Sequence, residues 1–135
     1  MKLHNSIDDL IDRDFVKKPV QAYISKVVQV SHLLEWMIDV LGGEAKIWHS
    51  TFSVSEEFIR SIISLRKKTS LSEYTLIVDR KGLAKILPLV KFISSAVDSA
   101  FIADNHSKVI VAQNRTGQLL AAVTSQNLTR GNRYE

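Results

Sequence analysis

The apolar positions of this chain become regular after residue 20, where they recur every three or four residues, the spacing of one helix face. The stripe consists of Tyr23, Val27, Val30, Leu34, Met37 and Leu41. Gly42-Gly43 follows and supplies a C-terminal stop, so a helix with one buried face is predicted over residues 23–41. Residues 1–20 show no such period, which predicts a flexible N-terminal arm before a domain over residues 21–135.

Strand and helix patterns alternate after this helix. Residues 44–52 form a β-rich run and predict a strand. Ser53 and Glu56 have the spacing of a capping box and predict the start of a second helix. Residues 75–78 are again apolar and β-branched, which predicts a second strand and completes a strand–helix–strand unit.

The remaining pattern predicts one interrupted helix and three short strands. The helix spans residues 83–95 and contains Pro88, which predicts a kink. Apolar runs at residues 100–103, 109–112 and 119–123 predict strands, the last two joined as a hairpin by a short polar turn. Because the hairpin strands are apolar throughout, both of their faces are predicted to be covered. The predicted fold class is α/β, with a mixed β-sheet flanked by helices.

Composition narrows the classes of protein to which this chain can belong. A chain of 135 residues with 45% hydrophobic residues suits one domain and excludes a multidomain enzyme. The absence of cysteine excludes disulfides, cysteine nucleophiles and thiolate zinc sites. No apolar run is long enough to span a bilayer, and the first residues lead into acidic ones instead of a signal-peptide core. A soluble, cytoplasmic protein without a membrane partner is expected.

Positive charge is concentrated in the middle of the chain. The formal net charge is +4, and residues 66–95 hold seven basic residues against two acidic ones. One interpretation is a surface for a polyanion, since phosphate contacts dominate nonspecific affinity for nucleic acid. Another is that Arg66-Lys67-Lys68 complements the dipole at the C-terminus of the second helix. The two interpretations are compatible.

Four histidines are candidates for a catalytic role, and the residues near each one in sequence distinguish them. His4 and His32 have no chemical partner nearby, and His49 closes the first predicted strand, where a structural role is the simpler interpretation. His106 stands at the entry to the hairpin, followed two residues later by Lys108. Side chains at this spacing in a strand point to the same side, so both can contact one anion.

The far end of the hairpin holds a second polar pair, Ser125 and Asn127, again two residues apart. Pairing of the hairpin strands would bring this end opposite His106 and Lys108. A histidine nucleophile, a fixed cation and neutral donors to the non-bridging oxygens are a suitable set for a phosphodiester. A polar hairpin end without function would show the same residues.

The sequence His106-x-Lys108, followed by Ser125-x-Asn127-Leu128-Thr129, resembles the H-x-K…S-x-N signature of the phospholipase D superfamily. Residues 124–135 are especially similar to its small, single-motif prokaryotic nuclease-like members, and the order of upstream elements agrees from about residue 20. The resemblance implies the layered phospholipase D/nuclease-like fold. Because that fold usually continues with a further strand and helix, it also implies a C-terminal truncation at Glu135.

The resemblance also implies a role for each matching residue. His106 would attack phosphorus to give a phosphohistidine, and Lys108 and Asn127 would hold the phosphoryl oxygens. Ser125 would add a hydrogen bond, and Glu135 would orient the histidine. Neither a metal ion nor another cofactor is required by this chemistry.

Two positions depart from the family motif. Gln113 stands where the fuller motif has Asp, and Thr124 stands where it has Gly. The missing Asp bears more on the structure of the hairpin than on the chemistry, because that residue normally lies away from the phosphate.

The implied reaction needs two histidines, one as nucleophile and one as acid for the leaving oxygen. Either His49 is recruited, or two copies of the chain meet, as single-motif members of the family do. A homodimer with His106 of each subunit near the twofold axis is predicted.

The expected function is that of a metal-independent phosphodiesterase, with DNA favoured over RNA as the nucleic-acid partner. A phospholipid substrate is disfavoured because no amphipathic interfacial helix is evident. The alternative is a catalytically inactive nucleic-acid-binding or assembly module that keeps the fold.

Overall fold

Alternating strands and helices build the described part of the chain. The computed structural model describes residues 7–25 and 28–125. The strands are β1 (Glu44–Thr51), β2 (Ser70–Asp79), β3 (Ser99–Ala103), β4 (Val109–Gln113) and β5 (Leu119–Val123). The main helices are α1 (Val30–Val40), α2 (Glu56–Lys68), α3 (Leu83–Ile86) and α4 (Val90–Ala96), with 3-10 segments at Arg80–Gly82 and Leu87–Leu89.

The five strands form one mixed sheet in the order β3-β2-β1-β4-β5. β1, β2 and β3 pair in parallel, whereas β4 pairs antiparallel with β1 and with β5. The predicted α/β class, mixed sheet and β4–β5 hairpin are therefore confirmed. Since β1, β2 and β3 run in the same direction, their C-termini and the start of β4 meet at one end, here called the carboxyl end of the sheet.

Two helix starts differ from the predictions. α1 begins at Val30 instead of residue 23, and none of the described residues from 21 to 29 is helical. The Ser25 hydroxyl accepts a hydrogen bond from the Val28 N–H at 3.2 Å, an alternative to helical bonding, and the β-branched residues here add little helix propensity. α2 begins after Ser55, whose side chain accepts the Phe58 N–H, so the predicted cap at Ser53 is wrong.

The third predicted helix is interrupted, as expected from Pro88. α3 ends at Ile86, the 3-10 segment Leu87–Leu89 contains the proline, and α4 continues from Val90. A proline lacks the N–H that a continuous helix would need at this point, so the chain tightens into a 3-10 turn and restarts.

The helices cover one face of the sheet. α1 contacts β1 and β4, α2 contacts β2, and α4 contacts β3. Apolar side chains of β1, β2 and β4 on this face are buried and form one cluster with the helices: Ala45, Ile47, Tyr74, Leu76, Val78, Ile110 and Ala112. No described helix covers the other face, whose apolar side chains are half-buried or exposed. The prediction of two covered faces is thus not met here, since β5 alternates between half-buried and exposed residues.

The N-terminal segment packs in part on α1. Ile7 and Ile11 are buried, and the Trp36 indole donates a hydrogen bond to Asp8 at 2.9 Å. Arg13 contacts Asp39 on α1 at 2.8 Å. The domain boundary at residue 20 and the flexibility of the arm stay predictions. Among the described helices, none combines the length and the apolar character needed to cross a membrane.

Candidate active site

The loop between β3 and β4 brings His106 to the carboxyl end of the sheet. Within the loop, the Asn105 side chain accepts the Ser107 N–H at 2.9 Å. The hydroxyls of Ser107 and Ser50 are 2.8 Å apart, and Ser50 belongs to β1. The first bond is internal to the loop and the second holds it against the end of the central strand, so His106 projects from an anchored segment.

His106 contacts two side chains that sequence reasoning did not assign to the site. Its Nδ1 lies 3.5 Å from Oδ2 of Asp79, the last residue of β2. Its ring packs edge-on against Phe52, with centroids 5.1 Å apart and planes at 69°. The imidazole side chain is 73% exposed, whereas that of Asp79 is 6% exposed. One ring nitrogen therefore faces a buried carboxylate, and Nε2 has no hydrogen-bond partner among the described residues.

The Asp79 carboxylate is stabilised in its charged form. Burial alone raises the pKa of Asp79, but hydrogen bonds from the backbone of Lys81 and from His106, together with the charge of His106, outweigh it and lower the pKa overall. The Lys81 N–H donates to Oδ1 at 3.3 Å. An ionised carboxylate on Nδ1 favours the proton on that nitrogen and leaves Nε2 with its lone pair, the form a nucleophile needs.

A signal for Asp79 was present in the sequence, because an acidic residue directly after an apolar strand lies where open α/β sheets place their sites. The orienting role had been given to Glu135 instead. Asn127 and Glu135 lie outside the described residues, so their predicted roles stay predictions.

Lys108 and Ser125 lie at the same end of the sheet as His106. The Lys108 carbonyl accepts the Thr124 N–H at 2.9 Å, which continues the β4–β5 pairing up to these residues. Lys108 is half-buried and Ser125 is exposed. In the described part of the chain, no hydrogen bond joins the side chains of His106, Lys108 and Ser125 to one another. An anion that contacted all three side chains would have to lie between them.

His49 is a core residue. It is 1% exposed, its Nδ1 lies 2.6 Å from the Tyr74 hydroxyl, and its ring packs edge-on against Phe58 of α2. Burial lowers the pKa of His49 to about 3, so the imidazole is neutral near neutral pH. It is therefore unsuited to the acid role that the sequence left open for a second histidine.

The mid-chain basic residues serve two purposes. Arg66 donates to the Ala96 carbonyl at 2.7 Å and to Asp98 at 2.8 Å, joining α2 to the chain that enters β3, away from His106. Arg80 and Lys81 directly follow Asp79 at the carboxyl end and are exposed, with Arg80 3.1 Å from Asp104. Of these two groups, Arg80 and Lys81 lie at the end of the sheet where they could attract an anion bound at His106.

No group of three or more metal-ligating side chains occurs among the residues that the structure describes.

Comparison with known proteins adds no relative. Neither the protein-family models, nor the curated proteins, nor the solved structures yield a match to this chain.

Proposed function

We propose that this chain is a metal-independent phosphodiesterase that cleaves DNA through a phosphohistidine intermediate. The observation that carries the proposal is the placement of His106, exposed at the carboxyl end of the sheet with Nδ1 against the buried Asp79 carboxylate. The family resemblance of His106, Lys108, Ser125 and Asn127 supports the reaction class.

The first step is an in-line displacement at phosphorus. Nε2 of His106 forms a P–N bond, the P–O bond to the leaving deoxyribose oxygen breaks, and an imidazolium donates its proton to that oxygen. In the second step water attacks phosphorus, the P–N bond breaks, and the now neutral second imidazole accepts the water's proton. Asp79 supports both steps because a carboxylate on Nδ1 stabilises the positive charge that the ring carries as a phosphohistidine.

The second imidazole is assigned to His106 of a second copy of the chain. His49 is buried between Tyr74 and Phe58 of α2 and has a pKa of about 3, which leaves it neutral and enclosed away from solvent. A twofold axis near the carboxyl end would supply two equivalent histidines to one phosphate.

Substrate binding is assigned to cations around His106. Lys108 precedes β4, and Arg80 and Lys81 follow β2, so three basic residues lie at the same end of the sheet as the histidine. Positive charges at this end suit the phosphates of a nucleic-acid backbone, where affinity depends on counterion release. Ser125 and Asn127 would donate hydrogen bonds to the non-bridging oxygens of the attacked phosphate.

The test is nicking of supercoiled plasmid in excess EDTA. The wild-type protein should nick the plasmid, and His106→Gln should lower the rate by about a thousandfold. Asp79→Asn should lower it by about ten- to a hundredfold and shift its pH profile, with partial recovery in Asp79→Glu. The matched control is Asp9→Asn, which removes an exposed carboxylate far along the chain from the residues assigned to the site.

The intermediate gives a second readout. Brief reaction with labelled DNA followed by denaturation should leave an acid-labile protein–DNA adduct in the wild type and none in His106→Gln. A salt-dependent DNA shift without nicking by the wild-type protein would overturn the enzyme and support the inactive binding module. Full activity of His106→Gln would overturn the assignment of the nucleophile.

A further inference from the structure

Phe101 is the most exposed aromatic side chain among the residues that the structure describes. It is 57% exposed, and Trp48 follows at 37%. Phe101 lies on β3, an edge strand of the sheet, so no described strand lies on its outer side. A single exposed apolar side chain is ordinary in a folded protein. What distinguishes Phe101 is its position next to the candidate active site.

The pairing of β2 with β3 places Phe101 on the same sheet face as Asp79. Phe101 pairs with Ile77, and Asp79 lies two residues further along β2, opposite Ala103. Side chains two residues apart on a strand point to the same face, so Phe101 lies diagonally across from the carboxylate that contacts His106. One strand spacing of about 4.8 Å and two residue rises of about 3.3 Å put the Cα atoms of Phe101 and Asp79 about 8 Å apart. A ligand held at His106 therefore comes within reach of the Phe101 ring.

The rest of this face, which no described helix covers, is not continuously apolar. Ser50 of β1 and Thr75 of β2 interrupt its rows, and the ion pair of Lys46 with Glu73 lies at the end away from the site. A protein interface has a continuous, well-packed apolar core, which such a face does not offer. A ligand that contacts one flat ring suits it better. A nucleobase is such a ligand, because every base has a π-face that stacks on an aromatic side chain.

Positive charges at the same end of the sheet suit the phosphates on either side of such a base. Lys81 follows β2 and Lys108 precedes β4, and neither forms an ion pair with a residue in the described ranges. The exposed carboxylate nearest to Phe101 in sequence, that of Asp104, is paired with Arg80 at 3.1 Å. An exposed ring beside unpaired cations is the combination with which proteins bind single-stranded nucleic acid.

We propose that Phe101 stacks on the base next to the phosphate held at His106, so that the substrate is DNA whose bases are unpaired at the point of cleavage. In a duplex both faces of each base are covered by its neighbours in the stack, and only an unstacked base offers a face to the ring. Supercoiled plasmid remains a substrate because negative supercoiling favours local unpairing. This preference rests on the proposed function, because the phosphodiesterase site fixes where the phosphate lies.

The first experiment compares cleavage of one labelled oligonucleotide as a single strand and as a duplex, in excess EDTA. The wild-type protein should cleave the single strand with a kcat/KM about ten times higher than the duplex. Phe101→Ala should lower kcat/KM for the single strand about tenfold and leave that for the duplex unchanged, because only unpaired bases stack on the ring. Phe101→Trp keeps a flat ring and should retain the wild-type preference.

The matched control is Ile102→Ala. Ile102 is an apolar side chain of the same strand with a similar exposure of 51%, and it points to the opposite face of the sheet. Its variant should keep the wild-type preference for the single strand. Equal cleavage of both substrates by the wild type, or an equal loss on both substrates in Phe101→Ala, would refute the stacking contact and leave the nuclease in place. A loss of preference in Ile102→Ala as large as that in Phe101→Ala would also refute it.

Binding without turnover separates this contact from the proposed function. Fluorescence anisotropy of the inactive His106→Gln variant, with an oligothymidylate and with an abasic strand of the same length, measures the contribution of the bases. The oligothymidylate should bind about tenfold more tightly, and adding Phe101→Ala should remove most of the difference. This result together with no cleavage by the wild type would remove the nuclease and keep the stacking contact. Equal affinity for the two strands, or a difference that Phe101→Ala leaves intact, would rule the contact out.

Discussion

Acidification should destabilise this fold through His49, and replacing that residue should remove the effect. His49 is fully enclosed between Tyr74 of β2 and Phe58 of α2, and its Nδ1 is 2.6 Å from the Tyr74 hydroxyl. The site accepts a neutral imidazole and holds no carboxylate against it. A proton added to His49 in the folded protein would therefore be a buried charge without a counterion.

The size of the effect follows from the pKa of His49, which burial lowers from 6.5 to about 3. Between these values the unfolded chain binds a proton that the folded chain does not, so stability is complete above pH 6.5 and is lost as the pH falls. Each pKa unit corresponds to about 1.4 kcal/mol. Moving from pH 7.5 to pH 5 should therefore lower the free energy of unfolding by about 2 kcal/mol through this residue alone.

Urea denaturation at a series of pH values between 5 and 7.5 measures this contribution. His49→Gln should have a flatter dependence of unfolding free energy on pH than the wild type, by about 2 kcal/mol over the range, whatever its absolute stability. Tyr74→Phe is the control: it removes the hydrogen bond but keeps the imidazole buried, so the wild-type slope should persist. An unchanged slope in His49→Gln would refute the reasoning, because the pH dependence would then come from other groups.

Three further predictions concern the elements around the site, each measured by urea denaturation. Gly82→Ala should cost about 2 kcal/mol, because a Cβ there would lie 2.3 Å from the Phe52 carbonyl oxygen; no loss would contradict this close approach. Arg66→Ala should cost about 2 kcal/mol because the Ala96 carbonyl and Asp98 lose their hydrogen bonds to Arg66, although Asp98 still accepts the Tyr74 N–H; a smaller loss in Arg66→Lys would support charge over shape. Ser55→Ala should cost about 1 kcal/mol by removing the cap of α2, whereas a neutral result would favour another cap.

Much of the fold was predictable because its signals are local. The β4–β5 hairpin follows from two apolar runs around a polar turn, and the break at Pro88 follows from a missing N–H. α1 shows where such signals fail. Its apolar period extends back to Tyr23, yet the helix begins at Val30, so spacing alone does not separate helical positions from non-helical ones such as Tyr23 and Val28 that also pack on the core.

The candidate site was only partly predictable because its partners are distant in sequence. His106 and Lys108 are recognisable as neighbours along the chain. Asp79 reaches His106 only through the parallel pairing of β2 with β3, in which Asp79 lies opposite Ala103 just before the histidine loop. Such a pair depends on strand order, which periodicity does not encode. The exposure of the second sheet face was missed for a related reason, since an apolar strand has the same pattern whether or not its second face is covered.

The carboxyl end of the sheet also bears on how such a protein can evolve. At this end β1 and β2 stop and β4 begins. The segments that join them to the next elements lie outside the ladder hydrogen bonds of the sheet. Substitutions or insertions in the segments after β1, after β2 and before β4 can alter what touches a substrate while leaving strand register intact. Under the proposed function, contacts to the substrate and the strand pairing of the sheet can therefore change independently of each other.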